Sequence, residues 1–94
     1  MATLSISVKR DAGIQDFRIT VDTKSVSTRE DGGGIAKGQI EVSDGPHVLL
    51  YFCAGEKGAQ LTITGKVGST IVINHIGNVR KSKPIGHGDV PFTV

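Results

Sequence analysis

Residues 48–53 read Val48-Leu49-Leu50-Tyr51-Phe52-Cys53, six consecutive positions without a charge. They are bounded by Ser43-Asp44-Gly45-Pro46 before and by Gly55-Glu56-Lys57-Gly58 after. Turn formers on both sides of so short an apolar run select a strand over a helix, and a strand apolar on both faces predicts burial on both. Val48, Leu50 and Phe52 fall on one face, Leu49, Tyr51 and Cys53 on the other. A second sheet is the expected cover for the first. The C-terminal segment or a partner subunit is the expected cover for Leu49, Tyr51 and Cys53.

Outward from this strand the chain alternates with a period of two. Leu4, Ile6 and Val8 alternate with Thr3, Ser5 and Ser7, and Phe17, Ile19 and Val21 with Arg18, Thr20 and Asp22. The short connection through Asp11 and Gly13 predicts a hairpin between these two strands. A short strand is expected at residues 24–26, followed by a polar loop over residues 27–34 that contains Gly32-Gly33-Gly34. Residues 35–42, the central strand, residues 60–64 and Ile71-Val72-Ile73 then suggest a four-stranded meander over residues 35–76. Asp44-Gly45 gives its first hairpin turn. Local pairings of that kind would make it the folding unit. Beyond it come a basic loop at Arg80-Lys81-Ser82-Lys83-Pro84, a Gly86-His87-Gly88 turn and a last alternation at Val90, Phe92 and Val94, which Pro91 consigns to a sheet edge.

The fold class expected is all-β: a single antiparallel β-sandwich over residues 1–94, immunoglobulin-like or jelly-roll-like, of seven to eight short strands, with a small β-barrel as the alternative. Composition agrees. The chain has 94 residues, 13 of them glycine, and four aromatics, so Ile, Val and Leu must build the core. Asp44-Gly45-Pro46-His47-Val48 resembles the strand opening of small surface-exposed sandwich modules of the carboxypeptidase-regulatory or PEGA-like kind, a resemblance of five residues that implies the same fold.

Charge and cysteine content narrow the function classes. Eleven Lys and Arg against nine Asp and Glu, mostly interspersed, give no reason to expect a nucleic-acid or membrane partner. No apolar run reaches the roughly 20 residues of a membrane helix. The single Cys53, with an N-terminus that alternates from the start, points to a cytoplasmic protein, export by a non-classical route being the alternative.

Catalytic and metal chemistry find little to work with. His47, Cys53, His75 and His87 form no close ligand pair, and His47 and Cys53 on one strand face stand about 20 Å apart, so neither metal nor cofactor is expected. Cys53 ends the most apolar strand, which marks an inert core thiol. Asp31-Gly32-Gly33-Gly34-Ile35-Ala36-Lys37-Gly38 has glycines at phosphate-loop spacing but lacks the Lys-Ser/Thr that must follow. A backbone anion nest assisted by Arg29 or Lys37 remains the chemistry available there. Arg80, Lys81 and Lys83 lack the interleaved aromatics of a nucleic-acid surface. No nucleophile elbow and no carboxylate pair occurs, so the chain is expected not to be an enzyme.

What remains is an interaction module that joins another protein or its own copy as a homo-oligomer, using the edge at Val90, Phe92 and Val94 or its loops. The alternative is a small-ligand or carbohydrate-binding sandwich using Arg29, Asp31 and Lys37 together with His75, Arg80 and His87.

Overall fold

A computed structural model describes residues 2–30, 34–79 and 85–94. Their strands are β1 (Ala2–Arg10), β2 (Ile14–Val21), β3 (Lys24–Ser25), β4 (Arg29–Glu30), β5 (Ile35–Val42), β6 (Pro46–Gly55), β7 (Gln60–Val67), β8 (Thr70–Asn78) and β9 (Ile85–Thr93). They form a five-stranded sheet in the order β4-β5-β1-β7-β8 and a four-stranded sheet in the order β3-β2-β6-β9, every pairing antiparallel. The sheets are not closed into a barrel, so the architecture is a sandwich.

Period-two alternation produces this core directly. Leu4, Ile6 and Val8 of β1, Leu61 and Ile63 of β7 and Ile73 of β8 turn inward from one sheet, Ile19 and Val21 of β2 and Leu49 and Cys53 of β6 from the other. Each full burial of such an aliphatic side chain contributes about 1.5–3 kcal/mol.

Most strand positions match the alternation, although β4 falls inside the expected polar loop, and the pairing differs from it. The expected β1–β2 hairpin does not form: β1 lies between β5 and β7, while β2 lies between β3 and β6. The expected meander is also absent, because the chain leaves the five-stranded sheet after β5, runs β6 through the other sheet and returns for β7 and β8. Alternation requires each strand to bury one face, and a chain that folds over the core satisfies this as well as one that turns back beside itself. Asp44-Gly45 is therefore a crossing between sheets. Gly45 takes a φ of 112° there and exchanges two backbone hydrogen bonds with Val94 (2.9 and 3.0 Å).

The β6 strand is buried on one face only. Leu49, Tyr51 and Cys53 face the five-stranded sheet, whereas Val48, Leu50 and Phe52 are 38%, 45% and 36% exposed on the outer face. The expected covers are thus exchanged, and the second face is bare. Gly86-His87-Gly88 is likewise strand rather than turn. Gly86 sits where a Cβ would lie 2.1 Å from the Asn78 carbonyl oxygen, and Gly88 leaves room for the Tyr51 ring, so these glycines serve close approach.

Candidate functional site

Arg29 and Lys37, both named from sequence, come together: β4 pairs with β5 so that Arg29 lies directly opposite Lys37, both exposed on the outer face of the five-stranded sheet. Asp31 and Arg80 lie outside the described residues. His75 is on β8 but turns inward, half-buried, with Nε2 3.3 Å from the Tyr51 hydroxyl and the two rings 5.3 Å apart. His87 is exposed on the outer face of the four-stranded sheet, opposite Phe52. The two histidines therefore do not join Arg29 and Lys37 in one ligand site.

Val90 and Phe92 lie on β9, an edge strand, and Val94 just past its end, yet all three pack against the core. The reciprocal bonds between Val94 and Gly45 set the phase of the ladder: Phe92 and Val90 direct backbone groups to β6, and Pro91 directs its own to the open edge. Proline there removes the donor that an added strand would need. By the same reasoning Asp11 N–H donating to the Gln60 carbonyl (3.1 Å) turns Leu61 and Ile63 toward β8 and leaves Asn74 and Ile76 with outward backbone groups.

His47, weighed from the sequence only as a metal ligand, is held at both of its ring nitrogens. The His47 side chain is 7% exposed, its Nδ1 bonded to Asp22 Oδ2 and its Nε2 2.6 Å from the Ser43 carbonyl oxygen. The ring also stacks on Phe92 at 5.4 Å. Two acceptors on two ring nitrogens call for a proton on each, so the Ser43 carbonyl first and the Asp22 carboxylate second push the His47 pKa up. Asp22 is lowered, chiefly by the hydrogen bond from Val48 N–H and then by His47. No residue pattern announces this pair, because Asp22, in the turn after β2, and His47, at the start of β6, are 25 residues apart.

Cys53 is free and fully buried, and burial pushes its thiol up, which removes the thiolate a nucleophile needs. Among the described residues no three His, Cys, Asp or Glu side chains converge as metal ligands. Nor is any helix among the described residues long and apolar enough to cross a membrane.

The outer face of the four-stranded sheet carries the exposed apolar row Val48, Leu50 and Phe52 along its inner strand. Asp16, Arg18 and Thr20 of β2 flank it on one side, and His87, Asp89 and Pro91 of β9 on the other. Shallow depressions adjoin the row on both flanks, lined by Asp16, Arg18 and Phe52 on the β2 side and by Leu50, His87 and Asp89 on the β9 side. An apolar centre with a polar rim is the anatomy of a protein-binding patch.

Compared with known proteins, the chain matches no family model, no curated protein and no solved structure.

Proposed function

We propose that this protein is a non-enzymatic interaction module that docks protein surfaces, its own copies included, on the outer face of the four-stranded sheet. The observation that carries this reading is the row Val48, Leu50 and Phe52, three large apolar side chains left 36–45% exposed on a strand whose other face is core. A sheet face that met only water would carry polar residues at these positions, as β1 does on its own outer face with Thr3, Ser5 and Ser7. The rim sets the chemistry of the partner. Asp16 and Asp89 outnumber Arg18, so the complementary surface is apolar at its centre and basic at its margin. The outer face of the five-stranded sheet bears Lys9, Lys37 and Lys66, which makes a second copy stacked face to back one partner of that charge.

The test is particle mass by light scattering over a range of concentration and salt, for the wild type and for Leu50→Lys and Phe52→Lys. Mass should rise with concentration in the wild type and stay monomeric in both variants. A wild type that remains monomeric throughout would overturn self-association. Identical solubility and identical binding of an apolar fluorescent dye by wild type and variants would remove the docking face itself.

Strand addition is a second reading, and the structure favours β8 over β9 for it. The β9 edge has Pro91 and Asp89, and the β3 and β4 edges are two residues long with Lys24, Arg29 and Glu30. The β8 edge has no Asp, Glu, Lys or Arg, and it exposes Ile71 and Ile76. The register shift opposite Gly65 and Lys66 protects it in part, and β9 approaches its end where Gly86 meets the Asn78 carbonyl. Asn74→Pro should abolish association by this route and leave docking on the other sheet intact.

A further inference from the structure

One row of cross-strand partners crosses the five-stranded sheet from edge to edge: Arg29, Lys37, Ser7, Thr64 and Asn74 on β4, β5, β1, β7 and β8. The adjacent row reads Gln39, Ser5 and Lys66. Since paired residues point to the same side of a sheet, these side chains share the outer face. Arg29 directly opposite Lys37 places two like charges at a spacing where they repel. Lys9 and Lys66 add two more cations to this face.

The compensating acid is scarce. Glu41 is the carboxylate on the outer face of β5, and it accepts a hydrogen bond from the Thr3 hydroxyl. Glu30 of β4 is taken by Arg10 at 2.6 Å. Among the described residues the ion pairs are Arg10–Glu30 and His47–Asp22, so neither neutralises Arg29, Lys37 or Lys66. Between Lys37 and Lys66 lies a shallow open basin of about 570 Å³, bordered by Ser5, Ser7, Gln39 and Thr64. The two lysines are diagonal across β1, two strand spacings and two residues apart, which puts their Cα atoms about 12 Å from each other. At that span their side chains can close over the hydroxyls from both sides.

We propose that this basin binds a tetrahedral oxyanion, a phosphate or sulfate group. Lys37 and Lys66 supply the charge, the Ser5, Ser7 and Thr64 hydroxyls donate hydrogen bonds to the oxygens, and Arg29 reaches a second anionic group beside Lys37. Charge-assisted hydrogen bonds of this kind are shorter and stronger than neutral ones. The basin lies on the opposite side of the sandwich from the row Val48, Leu50 and Phe52, and it shares Lys37 and Lys66 with the back that a second copy would meet.

Backbone amide shifts followed during titration with inorganic phosphate, and separately with inorganic sulfate, at ionic strength held constant with chloride, test it. Saturable shifts confined to the surroundings of Ser5, Ser7, Lys37, Thr64 and Lys66 are expected for at least one of the two anions. A response to one alone names the source, and a response to both assigns a general tetrahedral site. Lys37→Gln with Lys66→Gln should weaken binding about tenfold or more, and Lys57→Gln, in a turn away from the basin, should leave it unchanged. All three positions are exposed, so the spectra themselves report that the variants remain folded. Shifts that grow without saturating and spread over the molecule, or a double variant that binds as the wild type does, would overturn the proposal.

Discussion

Asp22 ties the start of the β6 strand down with both of its carboxylate oxygens: Oδ1 accepts from Val48 N–H at 3.0 Å, and Oδ2 holds His47 Nδ1. Asp22 itself sits at a positive φ of 49°, a conformation that aspartate tolerates better than most residues. The pair fixes a pH window. His47 has its pKa raised from the ordinary 6.5, so its contribution to stability is complete below that value and is lost as pH rises through the raised one. Asp22 has its pKa lowered from the ordinary 3.8, so its contribution is complete above that value and is lost as pH falls through the lowered one. Urea midpoints should therefore hold a plateau between the two ordinary values and decline on either side. His47→Gln should flatten the alkaline decline while the acid one persists. An alkaline limb unchanged in that variant would show that His47 does not hold the second proton.

The two faces of β6 should answer mutation very differently. Leu49 is fully buried and Leu50 is 45% exposed, so Leu49→Ala should cost about 2–5 kcal/mol and Leu50→Ala about 0.5 kcal/mol or less in the isolated chain. Chemical denaturation of the two variants measures this. Equal costs would mean that something covers the outer face in solution, as it would in a stable oligomer.

Tyr51 is held in a slot whose walls are glycines. A Cβ at Gly77 would lie 2.5 Å from Tyr51 Cε2, and one at Gly88 would lie 2.9 Å from Cε1. Gly77→Ala should therefore destabilise by about 1–3 kcal/mol through overpacking. In a Tyr51→Leu background the same change should cost clearly less, because the ring it strikes is gone. A double-mutant cycle by urea denaturation gives the coupling, and purely additive costs would refute the steric explanation.

Cys53 should label only through unfolding. With the thiol fully buried and its pKa raised by burial, a thiol reagent should react slowly with the native protein and rapidly in denaturant. Labelling at the rate of a free thiol under native conditions would place Cys53 in a site that opens to solvent.

The candidate surfaces were partly visible in the residues themselves. Arg29 and Lys37 were separable as cations beside a glycine loop, but Ser7, Thr64 and Lys66 were not, because they reach the same face from β1 and β7 and only sheet order makes them neighbours. The apolar row of β6 was visible as composition, and its exposure was not. A strand apolar on both faces carries no signal for which face the core takes.

The sequence by itself determined the all-β class, the place of most long strands and the inward residues of most of them, because period-two alternation is a local consequence of strand geometry. It also determined that β9 is an edge, since Pro91 lacks the donor an interior strand needs. Only the tertiary structure decided which strands are neighbours, that β6 buries Leu49, Tyr51 and Cys53 rather than Val48, Leu50 and Phe52, and that Asp22 meets His47. These are facts about pairing across long separations in the chain. Backbone hydrogen bonds impose no residue preference that would announce the partner, and the choice falls to the packing of the whole core.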